Sequence, residues 1–409
     1  MTTIVCAAPP LYGHMTPLAA LAGQLERQGH DVTIIDYFST PFELPPGPAR
    51  IALPSSRLDQ AVHHSGGQNL VLDLINVLRD FCLEIYLPTL QRCAALKPDL
   101  LLFDQQLPIA PLLARELGCR YVFTISSPVT LLYRDEAASP IEKGIQQAFS
   151  SAYVNMCREL AERLGLSTAF PPPAHNLCFA TARFCGREEP DPTVSDPATQ
   201  TEVPVTFAGP AFLTRPPDAA DQALTEQIAA FDGTRIYVSL GSCIANATVN
   251  RSAARRIFRN ALLAHNDENT LLLYSAPADL LDEAFRDIPI RATVITRAFV
   301  NQFFLIEHFS LVYSHGGYNT LAECLLHGIP QIAFPFVFDQ TRLAHRLEQL
   351  GIGRRVSRTR HTAEELRGRA EWLTNSPDAR ASLASLKRDI QQYGGLRYGA
   401  GTIDSILLA

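Results

Sequence analysis

Ser314-His315-Gly316-Gly317-Tyr318-Asn319-Thr320 is the stretch of sequence that says most about the fold. It follows a short apolar segment, residues 311–314, that predicts a buried strand. It opens residues 318–327, whose apolar spacing predicts a helix. Two glycines at a strand-to-helix turn let a ligand approach the backbone closely. The N–H groups at the start of the helix and the helix dipole favour an anion. The stretch therefore predicts a phosphate-binding turn in a parallel sheet.

Three side chains around this turn suit a nucleotide. His315 and Thr320 can donate hydrogen bonds to phosphate oxygens. Glu323 lies about one helical turn beyond Thr320 on the same face, where its carboxylate could accept hydrogen bonds from both hydroxyls of a ribose. Such a carboxylate favours a ribonucleotide, for example UDP, over a deoxyribonucleotide. The turn by itself fits a glycine-rich turn beside an exposed glutamate equally well.

A second turn, Val238-Ser239-Leu240-Gly241-Ser242, also ends a predicted strand. Gly241 and Ser242 could contact the same diphosphate. By itself this turn is more typical of an ordinary strand end.

Strands and helices alternate along both halves of the chain. In the first half, residues 4–7 predict a strand, a loop with His14 follows, and a helix begins at Thr16-Pro17 and ends before Gly29. In the second half the pattern predicts strands at residues 235–240, 270–274, 292–295, 311–314 and 331–334. Helices are predicted there at residues 251–264, 318–327, 340–350, 362–374 and 378–392. This alternation predicts an α/β fold with parallel strands and helices on both faces of each sheet.

Three prolines between Gly209 and Asp221 predict a linker. We therefore expect a first domain at residues 1–212, a linker at 213–222, a second domain at 223–388 and a C-terminal segment at 389–409. Two doubly wound, Rossmann-like domains that face each other would place a ligand site in the cleft between them.

The composition excludes several classes of protein. The chain has 409 residues, 47% of them apolar and 19% charged, as in an ordinary globular protein of two or three domains. Lys and Arg number 35 and Asp and Glu 41, which gives a net charge of −6 and argues against a nucleic-acid binder. No apolar run is long enough to span a bilayer, the N-terminal residues lack the pattern of a signal peptide, and the nine scattered cysteines suggest reduced thiols. We expect a cytoplasmic protein, with peripheral membrane contact left open.

The residues around these turns resemble a known signature. They comprise Phe299-Val300-Asn301-Gln302, His308, the turn at 314–320, Glu323, Pro330, Pro335 and Asp339-Gln340. In spacing and residue type they resemble W-x-P-Q, x-x-x-L-x-H, H-x-G-x-N-[ST]-x-x-E, P, P and D-Q of inverting GT-B-fold UDP-glycosyltransferases (family 1). Residues 8–12 and 351–356 are similar to bacterial zeaxanthin glucosyltransferases, and the pattern also resembles macrolide and antibiotic glycosyltransferases.

The resemblance implies a role for each matching residue. Phe299 falls where the family has the tryptophan that stacks on uracil, and Asn301 falls where it has proline, which is a departure. Gln302 would reach the base or ribose, and Asp339 and Gln340 would hold the hydroxyls of the sugar. At Tyr318 the backbone N–H is expected to matter more than the side chain. The expected nucleotide-sugar contacts are Gly241, Ser242, Phe299, Val300, Gln302, His315, Gly317, Tyr318, Asn319, Thr320, Glu323, Asp339 and Gln340.

His14 and Asp104 resemble the catalytic histidine and its partner aspartate in this family. Each follows a predicted strand of the first half, so both could point into the cleft. A carboxylate bonded to one ring nitrogen would let the other nitrogen take a proton from an acceptor hydroxyl. Without the resemblance, such residues are more often structural or solvated.

The acceptor is predicted only by analogy. An apolar stripe at residues 70–90, a loop at 63–67 and residues 123–132 suit a lipophilic alcohol or phenol, although such a stripe is more often core. No metal site is expected and no metal is required, since Glu189-Pro190-Asp191 is a poor match to a metal-binding D-x-D run. UDP-sugar is a co-substrate, so no cofactor is expected.

The sequence thus predicts a metal-independent inverting glycosyltransferase that moves a hexose, glucose or a close relative, from a UDP-sugar to a hydroxyl of a small hydrophobic acceptor. Carotenoids, polyketides and phenols are acceptors of this kind. Two alternatives stay open: a UDP-sugar epimerase or hydrolase on the same fold, and a non-catalytic helper that binds a partner enzyme. The family also implies that residues 389–409 pack back on the first domain.

Overall fold

The chain forms two compact units. The computed structural model describes residues 1–40, 46–58, 70–126, 128, 140–187, 193–241, 250–336 and 339–408. The first unit contains the described residues up to Leu213 together with the C-terminal segment from Tyr393, and the second runs from Thr214 to Gln392. The chain therefore leaves the first unit after Leu213 and returns to it after Gln392.

In the described part of the first unit, one sheet contains eight strands in the order β3-β2-β1-β4-β5-β6-β8-β7. All neighbouring pairs are parallel except β7 with β8. The strands are β1 (Thr3–Ala7), β2 (Asp31–Asp36), β3 (Ala49–Ala52), β4 (Leu100–Asp104), β5 (Arg120–Ile125), β6 (His175–Cys178), β7 (Thr193–Ser195) and β8 (Glu202–Phe207). The parallel pairing that the alternating pattern predicts is confirmed.

Helices cover both faces of this sheet because successive strand residues point to opposite sides. Ile4 and Cys6 of β1 are buried on one face, and Val5 and Ala7 on the other. Continuous apolar runs of this kind are typical of strands buried on both sides. The described helices of this unit are α1 (Tyr12–Arg27), α2 (Leu70–Leu96), α3 (Ala110–Leu117), α4 (Pro140–Arg163) and, beyond the second unit, α13 (Gly395–Leu408).

Helix α1 begins earlier than the sequence predicts. Its N-cap is Leu11, so Pro17 lies inside the helix and His14 lies in its first turn, not in a loop. The predicted start at Thr16-Pro17 is therefore wrong. A proline removes one backbone hydrogen bond and crowds the carbonyl four residues earlier, which here belongs to Gly13, next to the end of the helix. The predicted end is confirmed, because Gly29 has a φ of +94° and directly follows the C-cap.

The second unit has a parallel sheet of six described strands in the order β11-β10-β9-β12-β13-β14. They are β9 (Thr234–Ser239), β10 (Thr270–Ser275), β11 (Thr293–Arg297), β12 (Leu311–Ser314), β13 (Gln331–Ala333) and β14 (Gly353–Arg355). The described helices are α5 (Ala219–Ala229), α6 (Arg251–Ala264), α7 (Ala278–Phe285), α8 (Gln302–Leu305), α9 (Tyr318–His327), α10 (Gln340–Gln349), α11 (Ala363–Asn375) and α12 (Pro377–Gln392). The five predicted strands and five predicted helices of this half are present, whereas β14, α5, α7 and α8 are additions.

Part of the predicted linker is helical. Residues 219–222 belong to α5, whose N-cap Asp218 accepts a hydrogen bond from the N–H of Asp221 at 2.8 Å. The Asp221 carboxylate accepts in return from the N–H of Asp218 at 3.2 Å. This reciprocal capping box satisfies two backbone donors at the helix start. The helix can therefore begin directly after the prolines.

Helix α13 packs on α1 in the first unit. Ala400 and Ile403 share a buried apolar cluster with Leu21 of α1. Nε2 of His30 lies 2.7 Å from the Asp404 carboxylate. Arg120 donates hydrogen bonds to the carbonyls near the end of α13, at Ile406 and Leu407.

No helix in the described ranges has the length and hydropathy needed to cross a membrane. The eight described cysteines are free thiols, and Cys119 is the one among them that is partly exposed.

Gly209 lies where the chain meets the returning C-terminal segment, and its φ is +80°. A Cβ there would lie 2.8 Å from the Cβ of Tyr393. We expect Gly209→Ala to lower the free energy of unfolding by more than about 1 kcal/mol, since both backbone strain and the contact act against it. Chemical denaturation measures this. Gly401→Ala is the control, because nothing lies within 4 Å of a Cβ at that helical position; equal losses in the two variants would contradict the explanation.

Candidate active site

His14 and Asp104 come together at the carboxyl edge of the first sheet. His14 follows β1, and Asp104 is the last residue of β4, the parallel neighbour of β1. The Nδ1 atom of His14 lies 3.0 Å from Oδ2 of Asp104, which is fully buried. The carboxylate orients the ring and stabilises an imidazolium, so Nε2 is the nitrogen suited to accept a proton.

The Asp104 carboxylate has two further donors. The backbone N–H of Gln106 donates to Oδ1 at 2.9 Å, and the hydroxyl of Ser126 donates to Oδ2 at 2.7 Å. Ser126 directly follows β5, which is the neighbour of β4 on the side away from β1. The ends of three adjacent strands thus build one polar cluster.

The turn after β12 is braced by a buried polar network. The Ser314 hydroxyl accepts a hydrogen bond from the N–H of Gly316 at 3.1 Å and donates to Oε1 of Gln331 at 3.2 Å. The amide of Gln331 in turn donates to the carbonyl of Leu321 in α9 at 3.4 Å. Gly317 is the N-cap of α9 and caps without a side-chain hydrogen bond. The first-turn N–H groups of such a helix suit an anion.

The ring of His315 lies between two glycines. A Cβ on Gly241 would lie 2.8 Å from Cε1 of His315, and a Cβ on Gly317 would come closer still to Nε2. The predicted residues Gly241 and Gly317 therefore make room for this ring. Burial lowers the pKa of His315 to about 4, so the ring is neutral at pH 7. Its Nδ1 has no hydrogen-bond partner in the described part of the chain.

Gln302, Thr320 and Glu323 form a second polar cluster at the start of α9. The Nε2 of Gln302 donates to the Glu323 carboxylate at 2.5 Å and lies 3.1 Å from the Thr320 hydroxyl. Burial raises the pKa of Glu323 to about 7, while the hydrogen bond from Gln302 acts in the opposite direction. A carboxylate held in this way can accept further hydrogen bonds from a ligand.

In the segment before Gln302, an exposed aromatic ring is followed by a buried aliphatic side chain. Phe299 is 72% exposed, whereas the Val300 side chain is buried in the core with Leu305 and Ile306. Only the backbone of Val300 can therefore face a ligand. Tyr318 is likewise buried, which leaves its backbone as the group nearest the turn.

Asp339 and Gln340 lie at the start of α10. The backbone carbonyl of Gln340 is 3.5 Å from the place that a Cβ on Gly316 would take, so this helix start adjoins the turn after β12. Oε1 of Gln340 accepts a hydrogen bond from the N–H of Phe336 at 2.9 Å. Asn319 is partly exposed in the first turn of α9.

Several predicted positions lie outside the described residues: Ser242 and residues 63–67, 127, 129–132 and 189–191. Within the described ranges, no group of three or more His, Cys, Asp and Glu side chains is arranged to hold a metal ion.

The chain is similar to glycosyltransferases of known sequence and structure. Residues 296–391 match the Glycosyltransferase family 28 C-terminal domain. The chain is 22% identical to the NDP-glycosyltransferase YjiC of Bacillus subtilis (strain 168), with 97% of this chain and 95% of that protein covered. It is 23% identical to the zeaxanthin glucosyltransferase of Pantoea ananas, with 100% and 96% covered. Spinosyn rhamnosyltransferase SpnG, solved with thymidine diphosphate, matches with a TM-score of 0.68 at 18% identity, covering 99% of this chain and 100% of that one.

The chain is a glycosyltransferase of the GT-B type. The fold class predicted from the sequence is confirmed, and so is the resemblance that the turn at 314–320 indicates.

The structure of this glycosyltransferase explains the departure at Asn301. The Asn301 side chain is buried, and its Nδ2 donates to Oδ2 of Asp221 at 3.2 Å. Oδ2 of Asp221 also lies 2.8 Å from Nη1 of Arg215. Asn301 therefore ties the segment with Phe299 and Gln302 to the first turn of α5. Sequence reasoning missed this contact because its partners are 80 residues apart.

Replacing Asn301 tests this tie. We expect Asn301→Ala to lower the free energy of unfolding by roughly 1–2 kcal/mol, because it removes a hydrogen bond to a buried carboxylate. Chemical denaturation measures the loss. Asn155→Ala, at an exposed helical position, is the matched control and should stay within about 0.5 kcal/mol of the wild type. An Asn301→Ala variant as stable as the control variant would show that the contact contributes nothing.

Proposed function

We propose that this glycosyltransferase moves a hexose, glucose or a close relative, from a UDP-sugar to a hydroxyl of a small hydrophobic acceptor, with inversion and without a metal ion. The observation that carries the proposal is the hydrogen bond between His14 and the buried Asp104. This pair is built to remove a proton from a hydroxyl. The names of the relatives, which include a glucosyltransferase that acts on zeaxanthin, support the same class of reaction.

The second unit supplies the chemistry for the donor. The first-turn N–H groups of α9 and the neutral ring of His315 can stabilise the negative charge of a leaving diphosphate. The Glu323 carboxylate, placed by Gln302, can accept hydrogen bonds from the ribose hydroxyls. Phe299 offers an exposed ring for stacking on a nucleobase.

An aromatic pair near the start of α1 is compatible with an apolar acceptor. Tyr12, two residues before His14, is 46% exposed, and its ring lies 5.6 Å from that of Phe38 in an edge-to-face arrangement. Accessible aromatic rings of this kind are suited to hold a lipophilic alcohol or phenol.

The reaction follows from these parts. His14 Nε2 takes the proton of the acceptor hydroxyl as that oxygen forms a bond to the anomeric carbon. The bond from that carbon to the diphosphate oxygen breaks on the opposite face, so the configuration inverts. The electron pair leaves with UDP, whose charge the α9 N–H groups and His315 stabilise. Asp104 stabilises the imidazolium that forms.

A UDP-sugar epimerase or hydrolase on the same fold is the second candidate. The purified chain should be given UDP-glucose, UDP-galactose or dTDP-glucose, each with and without an alcohol panel that includes zeaxanthin and a simple phenol, with and without EDTA. We expect release of nucleoside diphosphate that depends on the alcohol, and a β-linked product from UDP-α-glucose. Release without any alcohol would favour a hydrolase, and interconversion of the two UDP-sugars without release would favour an epimerase.

His14→Ala should reduce acceptor-dependent turnover by about 10²–10⁴-fold, because it removes the proton acceptor. Binding of UDP-glucose, measured by calorimetry, should not change. His345→Ala, a partly exposed histidine in α10, is the control and should keep its turnover. Full turnover in a folded His14→Ala variant would place the base elsewhere.

Binding of UDP-glucose should depend on pH through Glu323. With a pKa of about 7, the ionised fraction rises from roughly one tenth at pH 6 to nine tenths at pH 8, so affinity should rise about tenfold over this range. The pKa of about 4 keeps His315 neutral throughout. Calorimetry at pH 6, 7 and 8 measures the trend, which Glu323→Gln should abolish. A rise of the same size in Glu323→Gln would refute the assignment.

A further inference from the structure

Two residues with hydroxyl side chains, Thr124 and Ser126, lie near the end of β5, the strand next to that of Asp104. Thr124 is the register partner of Asp104, and Ser126 lies two residues further along the chain. The Ser126 hydroxyl donates to Oδ2 of Asp104 at 2.7 Å. The Thr124 hydroxyl is buried as well, but it has no hydrogen-bond partner in the part of the chain that the structure describes. Of these two buried hydroxyls, that of Ser126 bonds to Asp104 and that of Thr124 does not, which makes Thr124 a control for Ser126.

Ser126 and His14 bond to the same oxygen. Oδ2 of Asp104 lies 2.7 Å from Oγ of Ser126 and 3.0 Å from Nδ1 of His14. Ser126 is 3% exposed and Asp104 is fully buried, so solvent does not compete for this oxygen. The second oxygen, Oδ1, accepts from the N–H of Gln106. Among the described residues, the groups bonded to this carboxylate are thus the ring of His14, the hydroxyl of Ser126 and the backbone N–H of Gln106.

We propose that Ser126 is a positioning residue of the transfer reaction. By donating to the carboxylate oxygen that holds His14, Ser126 fixes that oxygen and limits how strongly the carboxylate stabilises a proton on His14. The inference rests on the proposed function, in which His14 is the general base.

The direction of the effect follows from the chemistry of carboxylates. A hydrogen bond donated to an ionised carboxylate stabilises its charge and makes it less basic. Without the Ser126 hydroxyl, Oδ2 of Asp104 would attract the Nδ1 proton of His14 more strongly and would stabilise the imidazolium more. The pKa of His14 should then rise, and the enzyme should need a higher pH to keep His14 neutral and able to accept a proton.

The test is a titration of His14 in the full-length protein. Nitrogen-15 labelling of the histidines, with the His14 signals assigned by their loss in His14→Ala, reports its pKa without any substrate. We expect Ser126→Ala to raise this pKa by about 0.5–1 unit. Thr124→Val, which removes the hydroxyl that bonds to nothing described, should change it by less than about 0.2 unit. Ser126→Thr keeps a hydroxyl and should titrate like the wild type.

Turnover gives an independent readout. In Ser126→Ala the acid limb of kcat/KM for alcohol-dependent UDP release from UDP-glucose should move to higher pH by the same amount. The KM for UDP-glucose should stay unchanged, because Ser126 bonds to the base pair and not to the donor. A merely structural role for Ser126 would lower the amount of folded enzyme without moving the pH profile.

Each outcome decides the proposal. If Ser126→Ala leaves the pKa of His14 unchanged or lowers it, or if Thr124→Val shifts it equally, the proposal is overturned. If Ser126→Ala does not fold, Ser126→Cys, with its weaker donor, should shift the pKa in the same direction by a smaller amount, and no shift there overturns it too. A wild type that transfers no sugar to any alcohol would refute the proposed function, whereas the titration would still decide whether Ser126 acts on His14.

Discussion

Parallel strand pairing is the constraint on which the rest of the structure depends. In a parallel sheet, the carboxyl ends of neighbouring strands lie along one edge, so residues that follow them become neighbours. This brings His14 and Ser126 to Asp104, although 90 and 22 residues separate them from it. In the second unit, β9 and β12 are neighbours, and the same geometry places Gly241 against the ring of His315. Both clusters of polar residues are consequences of topology.

In the second unit, the buried titratable groups at the turn after β12 and the start of α9 carry little charge near neutral pH. An ionised group loses its hydration on burial, and this is costly unless a partner compensates for it. Burial lowers the pKa of His315 to about 4 and raises that of Glu323 to about 7, so near neutral pH the ring is uncharged and the carboxyl group is about half protonated. A nucleoside diphosphate would bring its own charge, and its ribose hydroxyls would supply new donors to Glu323. The ligand would thus compensate groups that are costly to bury without it.

The sequence predicts most of the fold because buried parallel strands and amphipathic helices leave strong periodic patterns. It fails where a local pattern is ambiguous. Thr16-Pro17 has the form of a helix start, yet α1 begins at Tyr12. A proline near the N-terminus of a helix is tolerated at the cost of one hydrogen bond, so it does not have to mark the first turn. The prolines before α5 indicate a linker. The capping box at Asp218 and Asp221 that follows them is nevertheless a sequence signal for a helix start. Such errors move the ends of elements and do not change the topology, so the edge on which His14 and Asp104 lie is still predicted.

Individual side-chain contacts cannot be predicted in the same way. The periodicity of the sequence indicates which residues lie at one edge of a sheet, but it does not indicate which of them form hydrogen bonds. Thr124 and Ser126 both carry a hydroxyl, lie two residues apart and come from the same end of β5, so the sequence treats them alike. In the structure, the Ser126 hydroxyl bonds to Asp104 and the Thr124 hydroxyl does not. Asn301 in turn departs from the proline expected there, and the reason is a carboxylate 80 residues away. Both contacts depend on differences of about 1 Å in where a side chain ends, since a hydrogen bond is lost beyond about 3.5 Å. The contacts of buried residues that position the site residues are therefore the part of this enzyme that the sequence does not predict.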